Sequence, residues 1–472
     1  MESVDPGHLV ETAEDGWDMG EREGDWVDLT AQFIVKAHLG EIPEAALETG
    51  RLVLMDCLGV ALAGSEEPSA RIARSLVPEA EGEDGALVLG TSIRSQAEQA
   101  AWANGVAAHA LDFDDTSRSM EGHPSVSILP VAFALTESEN RSGAELIAAF
   151  LVGYELQAKL GRVFGPLLRA AGWHSAGVLG TLGAAAAGSR LLQLPAKETI
   201  QALGVAASMA SGLGANTGSM VKSLHAGNAA RNGLIAARLC QRGFTSQRRA
   251  LEAFLSAFSG SKGVEEIALS QAFEQLGRPF DIVAPGTDIK LYPSCNYTHP
   301  AIDAALAIAG EDGFSLAGIK TVKCAIGSRG RVLLRRLPAT GLEAKFSLEF
   351  CVACALAHRG VDVDSFRDAE VSRLAEVMGR VAVEEQWPES GDPIPEATVT
   401  VTWVDGTQRS ASVVHPKGSV CNPVARSEVE AKYHRLSARV IREDAVEESA
   451  RLLGRLETES SIRPLMSLLQ RR

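Results

Sequence analysis

The sequence predicts a mainly α protein, a large all-helical domain with a smaller α+β domain inserted into it. Three observations carry this expectation. From about Leu29 to Leu276 apolar residues recur with helical spacing nearly throughout. Between about 280 and 415 the texture changes to strand-like runs, and after Pro423 helical character returns. The expected division is a flexible acidic N-terminus over 1–27, a helical domain over 28–279, an α+β domain over 280–415 and a helical return over 416–472.

Taken in order, the lead MESVDPGHLVETAEDGWDMGEREGDWVD is acidic and lacks the apolar stretch of a signal peptide. PEAALETGRLVLMDCLGVALAG (43–64) opens with a proline in its first turn and closes on glycine, the start and stop signals of a helix. SGAELIAAFLVGYELQAKLGRVF (142–164) begins with Ser142 and Glu145 at capping-box spacing. HSAGVLGTLGAAAAGSRLLQL (174–194) is too rich in Gly and Ala for a surface helix, and nothing in this half alternates convincingly with period two. GIKTVKCAIGS (318–328) reads as a strand. In ATVTVTWVDGTQRSASVVH (397–415), Val399, Val401 and Trp403 alternate with threonine before an Asp405-Gly406 turn, which predicts a hairpin. SEVEAKYHRLSARVI and DAVEESARLLGRLETE return to helical spacing.

Composition excludes several classes of function. The net charge of −15 argues against nucleic acid or anionic membrane as a partner. An anionic substrate then requires a local concentration of cations. No apolar run approaches the ~20 residues of a membrane helix. Seven scattered cysteines, an odd number without framework spacing, suggest reduced thiols and a cytoplasmic setting. Cys351 and Cys354 have CxxC spacing but no second pair, so core packing is expected of them rather than zinc.

Four short segments hold five of the ten histidines. HALDFDDTSRSMEGHP (109–124) combines His109, Asp112, Asp114, Asp115, Thr116, Glu121 and His123. A metal cage, an acid–base site and a plain acidic helix end all compete for it. The spacing is neither an EF-hand loop nor DDxxD, and consecutive carboxylates on a helix diverge, so the acid–base site is preferred and no metal is expected. Asp112 and Thr116, at i and i+4, are expected to share a face. GWHSAG (172–177) places His174 at the start of the small-residue helix. SGLGANTGSMVKSLHAGNAARNG (211–233) supplies Lys222, His225 and Arg231, without the spacing of a phosphate-binding loop. KLYPSCNYTHPAID (290–303) supplies Lys290, Cys295 and His299.

Together with PATGLEAKFSLEFCVACAL, these segments resemble the MmgE/PrpD family from about residue 28 to 465. The family includes 2-methylcitrate dehydratases, cis-aconitate decarboxylases and iminodisuccinate epimerase. The resemblance implies a helical domain with an α+β lid, a homodimer, and cofactor-free chemistry on a small di- or tricarboxylate in the cleft between the domains. It also implies active-site roles for Asp112, Thr116, His123, His174, Lys222 and Lys290. One departure weakens the decarboxylase alternative: that branch is expected to carry histidine where this chain has Cys295. The expected activity is therefore a hydro-lyase of the 2-methylcitrate dehydratase kind. An epimerase, a decarboxylase and a silent carboxylate-binding homologue follow. In this expectation His123 and His174 form the acid–base pair, and Asp112 orients a histidine or acts as base. Lys222, Lys290, His225 and Arg231 clamp carboxylates, with Thr116 and Cys295 also contacting substrate, while Asp114 and Asp115 are structural.

Overall fold

The computed structural model describes residues 26–80, 85–259, 266–327, 337–386 and 394–471, so most of the acidic lead lies outside the described residues. The helical half runs through α1 (Trp26–Lys36), α2 (Glu44–Gly64), α3 (Pro68–Arg74), α4 (Ala97–Ala110), α5 (Ser125–Ser138), α6 (Gly143–Ala170), α7 (Ser175–Leu191), α8 (Ala196–Met209), α9 (Val221–Gln241), α10 (Ala250–Phe258) and α11 (Glu266–Glu274). Pro43 precedes α2, and the predicted capping box closes on α6: Ser142 accepts from the Glu145 backbone N–H while Glu145 accepts from the Ser142 N–H. The Gly/Ala-rich α7 is buried from Ser175 to Ser189. It packs against α6 and α9, where the absence of side chains lets the backbones of Gly153 and Gly183 approach.

Among the described residues, three strands of two residues each interrupt this half: β1 (Ala86–Leu87), β2 (Arg94–Ser95) and β3 (Thr116–Ser117). They are too short to write a period-two pattern, which is why the sequence shows none. β3 pairs antiparallel with β4 (Thr287–Asp288), aligning Thr116 with Asp288.

The second half contains α12 (His299–Gly310), β5 (Ile319–Gly327), α13 (Gly341–Ala344), α14 (Leu348–His358), α15 (Asp368–Arg373), α16 (Ala375–Met378), β6 (Val381–Gln386), β7 (Ala397–Trp403) and β8 (Gln408–Val413). The sheet order is β6-β5-β7-β8, with β5 and β6 parallel and the other pairs antiparallel. The hairpin expected around Asp405-Gly406 is β7–β8. Ala397, Val399 and Val401 point inward from β7 onto a core shared with α12 and α14, which contains Cys351 and Cys354. Finally α17 (Arg426–Ser437), α18 (Glu443–Leu453) and α19 (Arg463–Leu468) rejoin the first core through Tyr433, Ile441, Leu453 and Leu465. The protein is mainly α with a smaller α+β region, and no described helix is long and apolar enough to cross a membrane.

Close helix contacts fix α9 against α4. A Cβ added at Gly227 would lie 2.5 Å from the Trp102 carbonyl oxygen and 2.7 Å from Val106. Gly227→Ala is expected to cost about 1–3 kcal/mol through overpacking. At Gly310, where an added Cβ meets nothing within 4 Å, the same change should instead stabilise the helix by about 0.5–1 kcal/mol. Denaturant midpoints of the two variants check both signs.

Candidate active site

The segment between α4 and α5 forms the floor of the site. The helix stops at Ala110, with Leu111 as its C-cap, and Asp112 takes a left-handed φ of 53°. The expected shared helical face of Asp112 and Thr116 is therefore corrected, since Thr116 sits in β3. It is the reversal at Asp112 and the pairing of β3 with β4 that bring both side chains into the same cavity. The chain folds back through Glu121, also at positive φ, and a bridge between Ser117 and Gly122, which sets His123 before α5.

His174 is the N-cap of α7, and its backbone N–H donates to Gly212 O at 2.8 Å. Lys222 and His225 occupy the opening turns of α9. Lys290 and Cys295 follow β4. A cavity of about 540 Å³ is lined by Asp112, Thr116, His123, His174, Lys222 and Cys295, together with Arg118, Arg169, Asn296, Tyr297 and Phe346.

Asp112 is the charged centre. Lys290 donates to its Oδ1 at 2.5 Å and Lys222 Nζ lies 3.3 Å from its Oδ2. Burial works against the carboxylate charge, but Lys222 and Lys290 outweigh it and hold Asp112 well below the usual carboxylate range. The orienting role expected of Asp112 falls to Asp114 in this geometry. His123 Nδ1 donates to Asp114 at 2.7 Å and His109 Nδ1 donates to its other oxygen at 3.0 Å. His123 Nε2 is 3.7 Å from Asp112, beyond hydrogen-bond distance. With both Nδ1 atoms committed as donors, each Nε2 carries a lone pair.

His174 and His225 meet through their Nδ1 atoms at 3.1 Å. Burial and the neighbouring Lys222 keep His174 well below the ordinary histidine value, and burial and His109 depress His225 to about 4. His123 is pushed down to about 3, chiefly by burial. The site thus combines neutral imidazoles, two carboxylates held ionised, Asp112 and Asp114, and two lysines. Asn296 donates to Thr116 Oγ1 at 3.0 Å, and Lys222 Nζ stands 5.6 Å from the Phe346 ring centroid.

Lys290 lies behind Asp112, and His225 lies behind His174. Arg231 is a correction to the expected clamp. It is nine residues beyond Lys222 on α9, half a revolution round at 3.6 residues per turn. Its guanidinium sits over Trp102, 5.9 Å from the ring centroid, and does not line the cavity. Asp115 accepts from Thr287 at 3.3 Å and holds the floor to β4. His109 and Asp114 are functional candidates that sequence reasoning passed over. Their histidine–carboxylate spacing was visible, but the fold-back that lets one carboxylate serve two rings was not.

The fold and this site mark the chain as an enzyme. Family models for the MmgE/PrpD N-terminal domain and the MmgE/PrpD C-terminal domain match residues 28–267 and 292–458, and the chain belongs to the MmgE/PrpD family. It is 28% identical to a human cis-aconitate decarboxylase, covering 94% of each chain. It is 26% identical to the cis-aconitate decarboxylase of Aspergillus terreus, over 91% of this chain and 92% of that one. With the mouse cis-aconitate decarboxylase it shares 28% identity over 79% of this chain and 78% of the relative. Those relatives are lyases, and this chain is a lyase of the same family.

The depressed histidines imply acid sensitivity. His123, His225 and His299, at about 3, 4 and 3 through burial first, take up protons near 6.5 only when the chain unfolds. The unfolded state binds more protons in that window, so their contribution is complete above 6.5 and is lost as pH falls toward 4. Asp115, raised to about 8 by burial and then by Asp114, acts in the opposite sense, its contribution declining as pH rises from 3.8 to 8. The melting temperature should rise between pH 4.5 and 6.5, and His299→Gln should flatten that rise. An equal slope in the variant would remove His299 from the account.

Proposed function

We propose that the chain is a cofactor-independent lyase for a small tricarboxylate, a hydro-lyase of the 2-methylcitrate dehydratase kind. The observation that carries this proposal is His123. Its Nδ1–H is committed to Asp114 at 2.7 Å, so a neutral ring offers Nε2 as a base beside Asp112 and the cavity. Proton abstraction next to a carboxylate needs such a base, with cations where the enolate charge develops.

In this mechanism His123 Nε2 takes the proton from the carbon adjacent to a substrate carboxylate. The electron pair moves into that carboxylate, where Lys222 stabilises the added charge. The pair then returns to form the carbon–carbon double bond and expels hydroxide, which leaves as water with a proton from Lys222. Return of the His123 proton through solvent restores both groups. Lys222 replaces His174 as the proposed acid, because burial and Lys222 itself hold His174 neutral. His174, backed by His225, is left to hydrogen-bond substrate, and Thr116 binds a carboxylate.

A second possibility, decarboxylation of cis-aconitate, is favoured by the relatives' names. It is disfavoured by Cys295, whose thiol burial pushes up and which offers no imidazole at that place. His109, Asp114 and His123 also bring ligand-type atoms within 4.8 Å of one another. The mechanism assigns them to hydrogen bonding, since each Asp114 oxygen already receives an N–H.

Incubation with citrate, 2-methylcitrate, cis-aconitate and iminodisuccinate in heavy water, followed by NMR, separates the outcomes. Water loss supports the proposal, carbon dioxide release transfers it to the second possibility, and deuterium wash-in without net reaction points to an epimerase. Lys222→Ala should lower kcat/KM by about 10²-fold or more on the true substrate, and an unchanged value would remove its role. Exhaustive chelation should leave the rate unchanged, whereas loss restored by a divalent metal would reassign the histidine–carboxylate cluster.

A further inference from the structure

We propose that Lys345 is a positioning residue for the reaction: held in the α+β region, it grips the Leu111 carbonyl and so secures the left-handed turn that aims Asp112 into the cavity. This rests on the proposed function, in which the Asp112 carboxylate holds the acid Lys222 at 3.3 Å beside the base His123.

Three consecutive carbonyls at the end of α4 each accept from a different buried lysine. Lys345 Nζ donates to Leu111 O at 3.0 Å, Lys290 Nζ to Asp112 O at 3.0 Å, and Lys432 Nζ to Phe113 O at 2.9 Å. The three lysines are no more than 3% exposed. Residues at this point of a helix end usually include a glycine in the left-handed conformation, because a Cβ strains it. Here the position is aspartate, whose side chain tolerates this conformation better than most but less well than glycine, and outside contacts support the geometry. Cations on the carbonyls at a helix C-terminus do so, since they meet acceptors left without intrahelical donors at the negative end of the helix dipole.

The three legs are not equivalent. Lys290 and Lys432 also reach carboxylates, Asp112 at 2.5 Å and Asp56 at 2.7 Å. Lys345 Nζ instead meets two carbonyls, Leu111 O and Pro293 O at 3.3 Å, and the Phe366 ring at 4.9 Å. Its neighbours Ala344 and Phe346 belong to the second core, while Leu111 packs with Val60, Phe113 and Leu436 from the helical half. The Leu111 carbonyl therefore keeps its donor only while the α13–α14 segment is seated on the helical body. The Cys295 N–H donating to Lys345 O at 2.9 Å ties the same point to the segment after Lys290.

Burial pushes the Lys345 ammonium down to about 8, against the favourable charges of Glu67 and Asp112 and with the unfavourable one of Lys290. The turn thus loses a charged leg at mildly alkaline pH, which gives the role a signature that packing alone lacks.

The test uses full-length Lys345→Met and Lys345→Gln with the tricarboxylate that the NMR screen identifies. It also follows amide hydrogen exchange of the 109–116 peptide, which needs no substrate. Positioning predicts a fall in kcat of about tenfold or more with KM within about twofold, and faster exchange at 109–116 relative to α6. The wild type should lose kcat above about pH 8, and Lys345→Gln should lack that limb. Unchanged exchange and kcat would overturn the proposal, as would a loss confined to KM. If Lys345→Met does not fold, Lys345→Gln decides. If the wild type turns over no tricarboxylate, the proposed function fails while the exchange measurement still decides the role of Lys345.

Discussion

A carboxylate carried into a low-dielectric floor is tolerable only if its charge is matched there, and Asp112 sets that requirement for the whole molecule. Lys290 and Lys222 approach its two oxygens from opposite halves of the sequence, at 2.5 and 3.3 Å. Breaking such a buried pair by removing one member typically costs about 3–5 kcal/mol, because the remaining charge has no compensation. The placement of α9, the run after β4 and the end of α4 are thereby mutually dependent. The small-residue contacts of α4, α7 and α9 serve the same end, since they let the helix bearing Lys222 come close enough to complete the match.

Around that charge the imidazoles are kept uncharged by burial and by the lysines themselves. This division of labour is economical in chemical terms. The lysines supply positive potential for an anionic ligand, and the histidines supply lone pairs without adding to the repulsion. In a chain with a net charge of −15, the acidic groups of the pocket are matched locally, Asp112 by Lys222, Glu121 by Arg169 and Asp288 by Arg118.

The helices, the hairpin and the cavity-lining Asp112, His123, His174 and Lys222 were legible because each has a local signature: a cap, an Asp-Gly turn, or a polar residue at a helix boundary among small residues. The remaining members were not, for physical reasons. Asp114 looks structural in sequence, and only the reversal through Glu121 turns it between two rings. Lys345 sits at the turn between α13 and α14 and Lys432 in the ordinary helical run VEAKYHRL, where nothing local distinguishes a lysine that is buried from one that is solvated. Arg231 misled in the opposite direction, since nearness to Lys222 along the chain places it on the far side of the same helix. β1, β2 and β3 escaped because two residues cannot show a period.

The lysine grip on the end of α4 also has a meaning for how the chain is made. The donors for the Asp112, Leu111 and Phe113 carbonyls lie 178, 234 and 319 residues further along the sequence. A growing chain that has completed α4 therefore carries the floor of its own site without all the lysines that grip it until Lys432 is made. Asp56, buried within α2, waits longer still for Lys432. Local helices can form early, but the cations that match Asp112 arrive only with α9 and the run after β4, and the one that matches Asp56 only with α17.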